Sequence, residues 1–145
     1  MKRISESGRG FSLLELLVVV AIILIVATIA VPSLLRSRQT ANEKAAVANL
    51  RTISNAEAAY LAASGGYYGG ISDLVNSELL DDRFMGGFSG YIYLIDASRF
   101  DYTATATPTS SNLARYGYYM TPDGVIRYST DASLAPAGES GYAVH

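Results

Sequence analysis

The chain has no cysteine and no tryptophan, and its one histidine, His145, is the last residue. Without thiols it can form no disulfide framework, no thiolate metal site and no cysteine nucleophile, and the redox compartment stays undetermined. Histidine-based catalysis and His-rich metal binding have almost nothing to draw on. Charge is sparse too: 11 Lys and Arg stand against 13 Asp and Glu, a net charge of −2, which gives no case for a nucleic-acid or acidic partner. The "GRG" at 8–10 is not a phosphate loop, since Leu13 stands where a third glycine is needed and no strand precedes it. No internal repeat is present.

What the sequence does have is an apolar run. From Phe11 to Leu35 the only charged residue is Glu15. The run is long enough to cross a bilayer as a helix, which takes about 20 residues. A carboxylate inside such a segment costs on the order of 2.5–3.5 kcal/mol on insertion scales, so either the segment is something other than a membrane helix or Glu15 meets a positive partner there. A short basic stretch with Lys2, Arg3 and Arg9 precedes the run. An ordinary secretory signal fits poorly: the run exceeds the usual 7–15 residues or so, and Thr28 and Ala30 make a weak cleavage point. A simple signal anchor leaves Glu15 unexplained.

Helical periodicity continues past the run. Leu34, Leu35, Ala41, Ala45, Ala46, Leu50, Ile53, Ala56 and Tyr60 recur at spacings of three and four, while Arg36, Arg38, Asn42, Glu43, Arg51 and Asn55 fill the other face. One helix over 11–63 is expected, roughly 80 Å long at about 1.5 Å per residue, with Pro32 as a kink and "SGG" at 64–66 as the stop. In the connecting region 64–90, "ISDLVNSELLDDRF" reads as one short helix capped by Ser72. The period then becomes two. "YIYLI", "FDYTATAT", "RYGYYM" and "VIRYS" read as four strands within 91–129, with "TPDG" at 121–124 as a hairpin turn. Residues 130–145 read as a loop or loosely docked tail. Of the 11 tyrosines, most fall in these strands, where cross-strand packing accounts for them. The expected fold class is α+β: a long N-terminal helix, apolar in its first half and amphipathic in its second, packed on a small antiparallel four-stranded sheet.

Cleavage between Gly10 and Phe11 would supply the missing cation. The new α-amino group, with an ordinary pKa near 8, is positive at neutral pH. In an assembly of offset neighbours, the amine of one subunit can lie beside Glu15 of the next. "GFSLLELLVVVAIILIVATIAVP" resembles the N-terminal signature of type IV pilins and the pseudopilins of type II secretion. Ser12, where threonine is usual, and Leu24, where a glycine often falls, are mild departures.

The resemblance implies a pilin-like fold and a leader, 1–10, cut after Gly10 by a prepilin peptidase that N-methylates Phe11. It implies Phe11 and Glu15 as the assembly pair, Pro32 as the helix bend, a membrane and filament-core segment over 11–35, and a soluble domain over 36–145. The implied function is a structural subunit of a type IV pilus-like filament, without catalysis of its own. A major pseudopilin of a type II secretion system is the alternative, and a signal-anchored membrane binding domain the alternative from another class. Implied partners are further copies in a helical homopolymer, the peptidase and N-methyltransferase, an inner-membrane platform and motor, and membrane lipid before assembly; nucleic acid stays open. The implied location is the bacterial inner membrane, leader side cytoplasmic, and then an extracellular or periplasmic filament. No cofactor or metal is expected: Asp123, Asp131 and Glu139 match no calcium-loop spacing.

Overall fold

The computed structural model describes residues 10–131 and 141–144. Along the chain come α1 (Leu13–Ala63), α2 (Ile71–Asn76), α3 (Arg83–Gly86), β1 (Tyr91–Ala97), β2 (Tyr102–Pro108), β3 (Gly117–Met120), β4 (Ile126–Ser129) and β5 (Tyr142–Ala143). The chain divides into two compact units between Leu34 and Leu35.

The long helix runs 51 residues and includes Pro32. That ring has no N–H to give the carbonyl one turn back. Nearby, the Thr28 hydroxyl satisfies itself on the Ile25 carbonyl at 2.7 Å. The helix stops where the glycines predict. Gly65 takes φ 79°, and the Gly66 N–H reaches back to the Leu61 carbonyl at 3.0 Å, closing the last turn.

The sheet is an antiparallel meander in the order β1-β2-β3-β4-β5. Its first two strands alternate as the sequence requires: Tyr91, Tyr93, Tyr102, Ala104 and Ala106 point into the core, while Ile92 and Leu94 face outward and are exposed. The Thr121–Gly124 turn forms with Gly124 at φ 73° and its N–H on the Thr121 carbonyl at 3.0 Å. A fifth strand corrects the four-strand expectation. Tyr142 and Ala143 pair with Tyr128 and Arg127 of β4, and the Val144 N–H bonds the Ile126 carbonyl at 2.8 Å. Two residues are too short to show a period of two, and they fall in the stretch expected to be a tail.

The expected single helix over 71–84 is two helices. The first is capped from Gly70, whose N–H donates to the Asp73 carboxylate at 2.9 Å, and not from Ser72. It ends because Glu78 adopts φ 58° and lets the Leu79 N–H bond back to the Leu74 carbonyl at 3.0 Å. Glycine normally holds that position. A glutamate there gives no sequence warning.

The core of the Leu35–His145 unit forms between one stripe of α1 (Ala46, Leu50, Ile53, Ala56) and the tyrosines and alanines of the sheet, with Leu74, Leu80 and Phe84 from the connection. Two acids share this stripe. Glu43 was placed on the polar face by its chemistry, yet it is buried, and so is Glu57. One Glu57 oxygen accepts the Gly69 N–H at 3.1 Å, and the other has no partner among the described residues. The loop presses close there: a Cβ on Gly69 would stand 2.8 Å from the Tyr60 ring. Burial pushes the Glu57 carboxyl up, against the Gly69 hydrogen bond and with help from Asp73.

A carboxyl that keeps its proton longer when folded lowers stability as pH rises. Its contribution is intact below the ordinary carboxylate range and is lost as pH climbs through the raised folded value. Glu57→Gln, which removes the charge but keeps the acceptor, should leave Tm unchanged near pH 4 and raise it near pH 7. Melting curves of the full chain in detergent across that range check this; parallel wild-type and variant profiles would contradict it.

Candidate assembly site

Gly10 is exposed, and nothing lies within 4 Å of the place a Cβ would take. Gly10, Phe11 and Ser12 precede the first helical residue, Leu13, so the Gly10–Phe11 bond is outside the helical hydrogen bonding. Phe11 is 76% exposed. The Leu16 N–H bonds the Ser12 carbonyl at 3.2 Å and closes the first turn. Glu15 sits within that turn, close to the positive end of the helix. It is exposed, and no ion pair or hydrogen bond joins it to another described residue.

From Phe11 to Leu35 the large apolar side chains are all exposed, between 43% at Val19 and 82% at Leu13. They surround the helix instead of forming a stripe. An all-round apolar helix has no stable place in water and must be covered by lipid or by other helices. By length and composition α1 is also the one described helix able to cross a membrane. At the start of this apolar segment the structure thus places a peptide bond free of the helix, an exposed aromatic residue and an acid that has no ion pair among the described residues.

Residues 7–31 match the family described as the prokaryotic N-terminal methylation motif. The chain is also 37% identical to the type II secretion system core protein G of Escherichia coli (strain K12) over 54 residues, which span 37% of each chain. No solved structure matches it. Both findings support the pilin and pseudopilin family. The fold agrees, with its long apolar helix and antiparallel sheet. The matched residues include Gly10, Phe11 and Glu15; Pro32 lies just beyond them.

A second polar constellation escaped the sequence reading. Glu43, 6% exposed, takes three hydrogen bonds from Arg115: the backbone N–H at 2.9 Å and Nε at 3.0 Å on one oxygen, and Nη2 at 2.8 Å on the other. The Glu43 hydrogen bonds raise the Arg115 pKa above its already high value. This clamp ties α1 to the segment entering β3. The signal was present: Glu43, Leu50 and Glu57 are seven apart and share one face of a helix. In the hairpin, Asp123 accepts from the Thr121 hydroxyl (2.8 Å), the Val125 N–H (2.9 Å) and Arg127 (2.8 Å). Burial opposes the Asp123 charge, but these hydrogen bonds outweigh it and lower the pKa. Among the described residues no cluster of three acidic or histidine side chains is placed to hold a metal. Glu139 lies outside the described residues.

The clamp is asymmetric, since the Glu43 side chain is 8% exposed and that of Arg115 46%. Removing the arginine strands a buried carboxylate, whereas removing the acid frees an arginine that water can reach. Arg115→Ala should therefore cost about 2–3 kcal/mol, more than Glu43→Gln, and Arg115→Lys should not restore the loss, because lysine lacks the planar fork. Chemical denaturation of the three variants gives the order directly.

Proposed function

We propose that the chain is a structural subunit of a type IV pilus-like filament, cut between Gly10 and Phe11, N-methylated on Phe11, and assembled through the apolar segment of α1. One observation carries this reading: Glu15 is the single charge in an apolar surface that no described residue covers. Lipid can cover the apolar side chains but supplies no fixed cation at that depth. A neighbouring copy supplies both the apolar cover and, after cleavage, the α-amino group of Phe11. Pairing in such a dry setting fixes the axial register of one subunit against the next, because a slip leaves a buried charge unpartnered. A contact that joins different surfaces of successive copies repeats without closing, and so makes a filament. The role is structural, and its partners are other copies, the peptidase, a membrane platform and a motor.

The similarity to a type II secretion system core protein favours a second reading, a pseudopilus subunit. The two differ in phenotype. Deleting a pilus subunit removes surface filaments, whereas deleting a pseudopilin strands folded exoproteins behind the outer membrane.

Two substitutions test the common mechanism. Gly10→Val should block processing, so intact mass of the membrane-bound chain should retain residues 1–10; a mature N-terminus at Val31 would instead restore a secretory signal. Glu15→Leu should insert in the membrane at least as well as wild type and be cleaved normally. Its ratio of sheared filament to membrane-bound mature subunit should fall sharply. An unchanged ratio would refute the pairing.

A further inference from the structure

Cations in the Leu35–His145 unit fall into two groups. Arg83 pairs with Asp81 at 3.0 Å, Arg115 with Glu43 and Arg127 with Asp123, each at 2.8 Å. Arg99 lies over the Tyr67 and Phe100 rings, 4.6 and 5.2 Å from their centroids. The cations of α1 have no such engagement. Arg36, Arg38, Lys44 and Arg51 are exposed and make no ion pair with any described residue. The acids of the same helical stretch are both buried in the core. Among the described residues, this part of α1 therefore presents an uncompensated positive surface.

Lys44 and Arg51 stand about two turns apart on one side of a groove of about 370 Å³, with Val47 between them and Tyr118 and Val144 opposite. Glu43 also lines this groove, but Arg115 occupies both its oxygens. The groove thus offers two free cations over an apolar floor, at the β3–β5 side of the sheet.

The complementary surface lies at the other side. An open hollow between α2 and α3 is lined by Val75, Glu78, Leu79, Asp81 and Asp82. Glu78 and Asp82 are exposed and join no ion pair among the described residues. The hollow adjoins the β1 edge, because α3 packs its Phe84 ring 5.3 Å from the Tyr93 ring of β1. An acidic, partly apolar surface and a basic, partly apolar groove thus sit towards opposite edges of one sheet.

The geometry points to a head-to-tail contact in which the Glu78–Asp82 hollow of one copy docks on the Lys44–Arg51 groove of a second copy of this chain. The occupant is chosen by charge complementarity, with Val75 and Leu79 on one side and Val47 and Val144 on the other to bury under the charges. Opposite placement of the two surfaces makes the contact heterologous, so it propagates along a row of copies. This inference rests on the filament reading and adds a contact between the folded units that is separate from Glu15.

The test uses the full chain in a host where the wild type assembles. Lys44→Glu with Arg51→Glu, or Glu78→Lys with Asp82→Lys, should each cut sheared filament about fivefold or more, and combining all four should restore most of the yield. Membrane levels of mature subunit verify that each variant folds and inserts. Since the wild-type chain has no cysteine, Lys44→Cys with Glu78→Cys adds a clean second measurement: oxidised filaments should give a ladder of multimers that neither single variant gives. Unchanged yield after charge reversal, or no ladder from assembled filaments, overturns the contact. Unchanged yield overturns it equally if the reversed chain loses binding to duplex DNA or to phosphatidylglycerol vesicles, which would assign the basic face to those partners. Absence of wild-type filaments would instead fault the filament reading itself.

Discussion

The sheet is held on a stripe of α1 only two side chains wide, and that narrowness governs the rest of the folded unit. Ala46, Leu50, Ile53 and Ala56 give little apolar volume, so the opposing surface must supply the bulk. Tyrosine supplies it. Tyr91 and Tyr93 are almost wholly buried and sit beside Ala104 and Ala106, which leave room for their rings. Large against small across facing layers is how a core reaches close packing without voids. Each ring brings a hydroxyl that cannot be left bare. The Tyr91 hydroxyl donates to the Tyr116 carbonyl at 2.8 Å, and the Asn49 amide donates to that of Tyr93 at 2.8 Å. Burial raises both phenol pKa values, so the hydroxyls stay neutral and available as hydrogen-bond partners.

The same stripe explains where the acids go. Positions 43, 50 and 57 are equivalent on a helix surface, and the stripe begins and ends with glutamate. Each fastens the helix to an irregular segment, Glu43 to the approach to β3 and Glu57 to the loop at Gly69. In a cysteine-free chain these charge-assisted hydrogen bonds secure segments that no disulfide can hold. With both acids turned inward, the outer side of this stretch keeps its arginines and lysine uncompensated. Surface charge is here a by-product of core design.

Much of this was legible in the sequence. The extent of α1 followed from unbroken periodicity and the glycines after Ser64, and the first two strands from strict alternation. The methylation motif matched at residues 7–31 was legible through the resemblance that Gly10, Phe11 and Glu15 carry. Three things were not legible, each for a physical reason. Glu78 ends α2 in a backbone conformation usually left to glycine, so composition suggested one helix in place of two. β5 exists by pairing with β4, not by any pattern of its own. Glu43 looked like a solvated residue because its partner, Arg115, is distant in sequence and adjacent only after folding.

The strand order bears on how the chain reaches this state. Every strand pairs with the one before it, so the links within the sheet from β1 to β4 are short, at 98–101, 109–116 and 121–125. Short closures cost little chain entropy and form early. The one distant closure is that of the meander onto α1, and α1 leaves the ribosome first. A helix already formed is a fixed template, and the strands need only zip in sequence and settle onto it. The slow search that burdens most non-local sheets is thereby reduced to a single docking step.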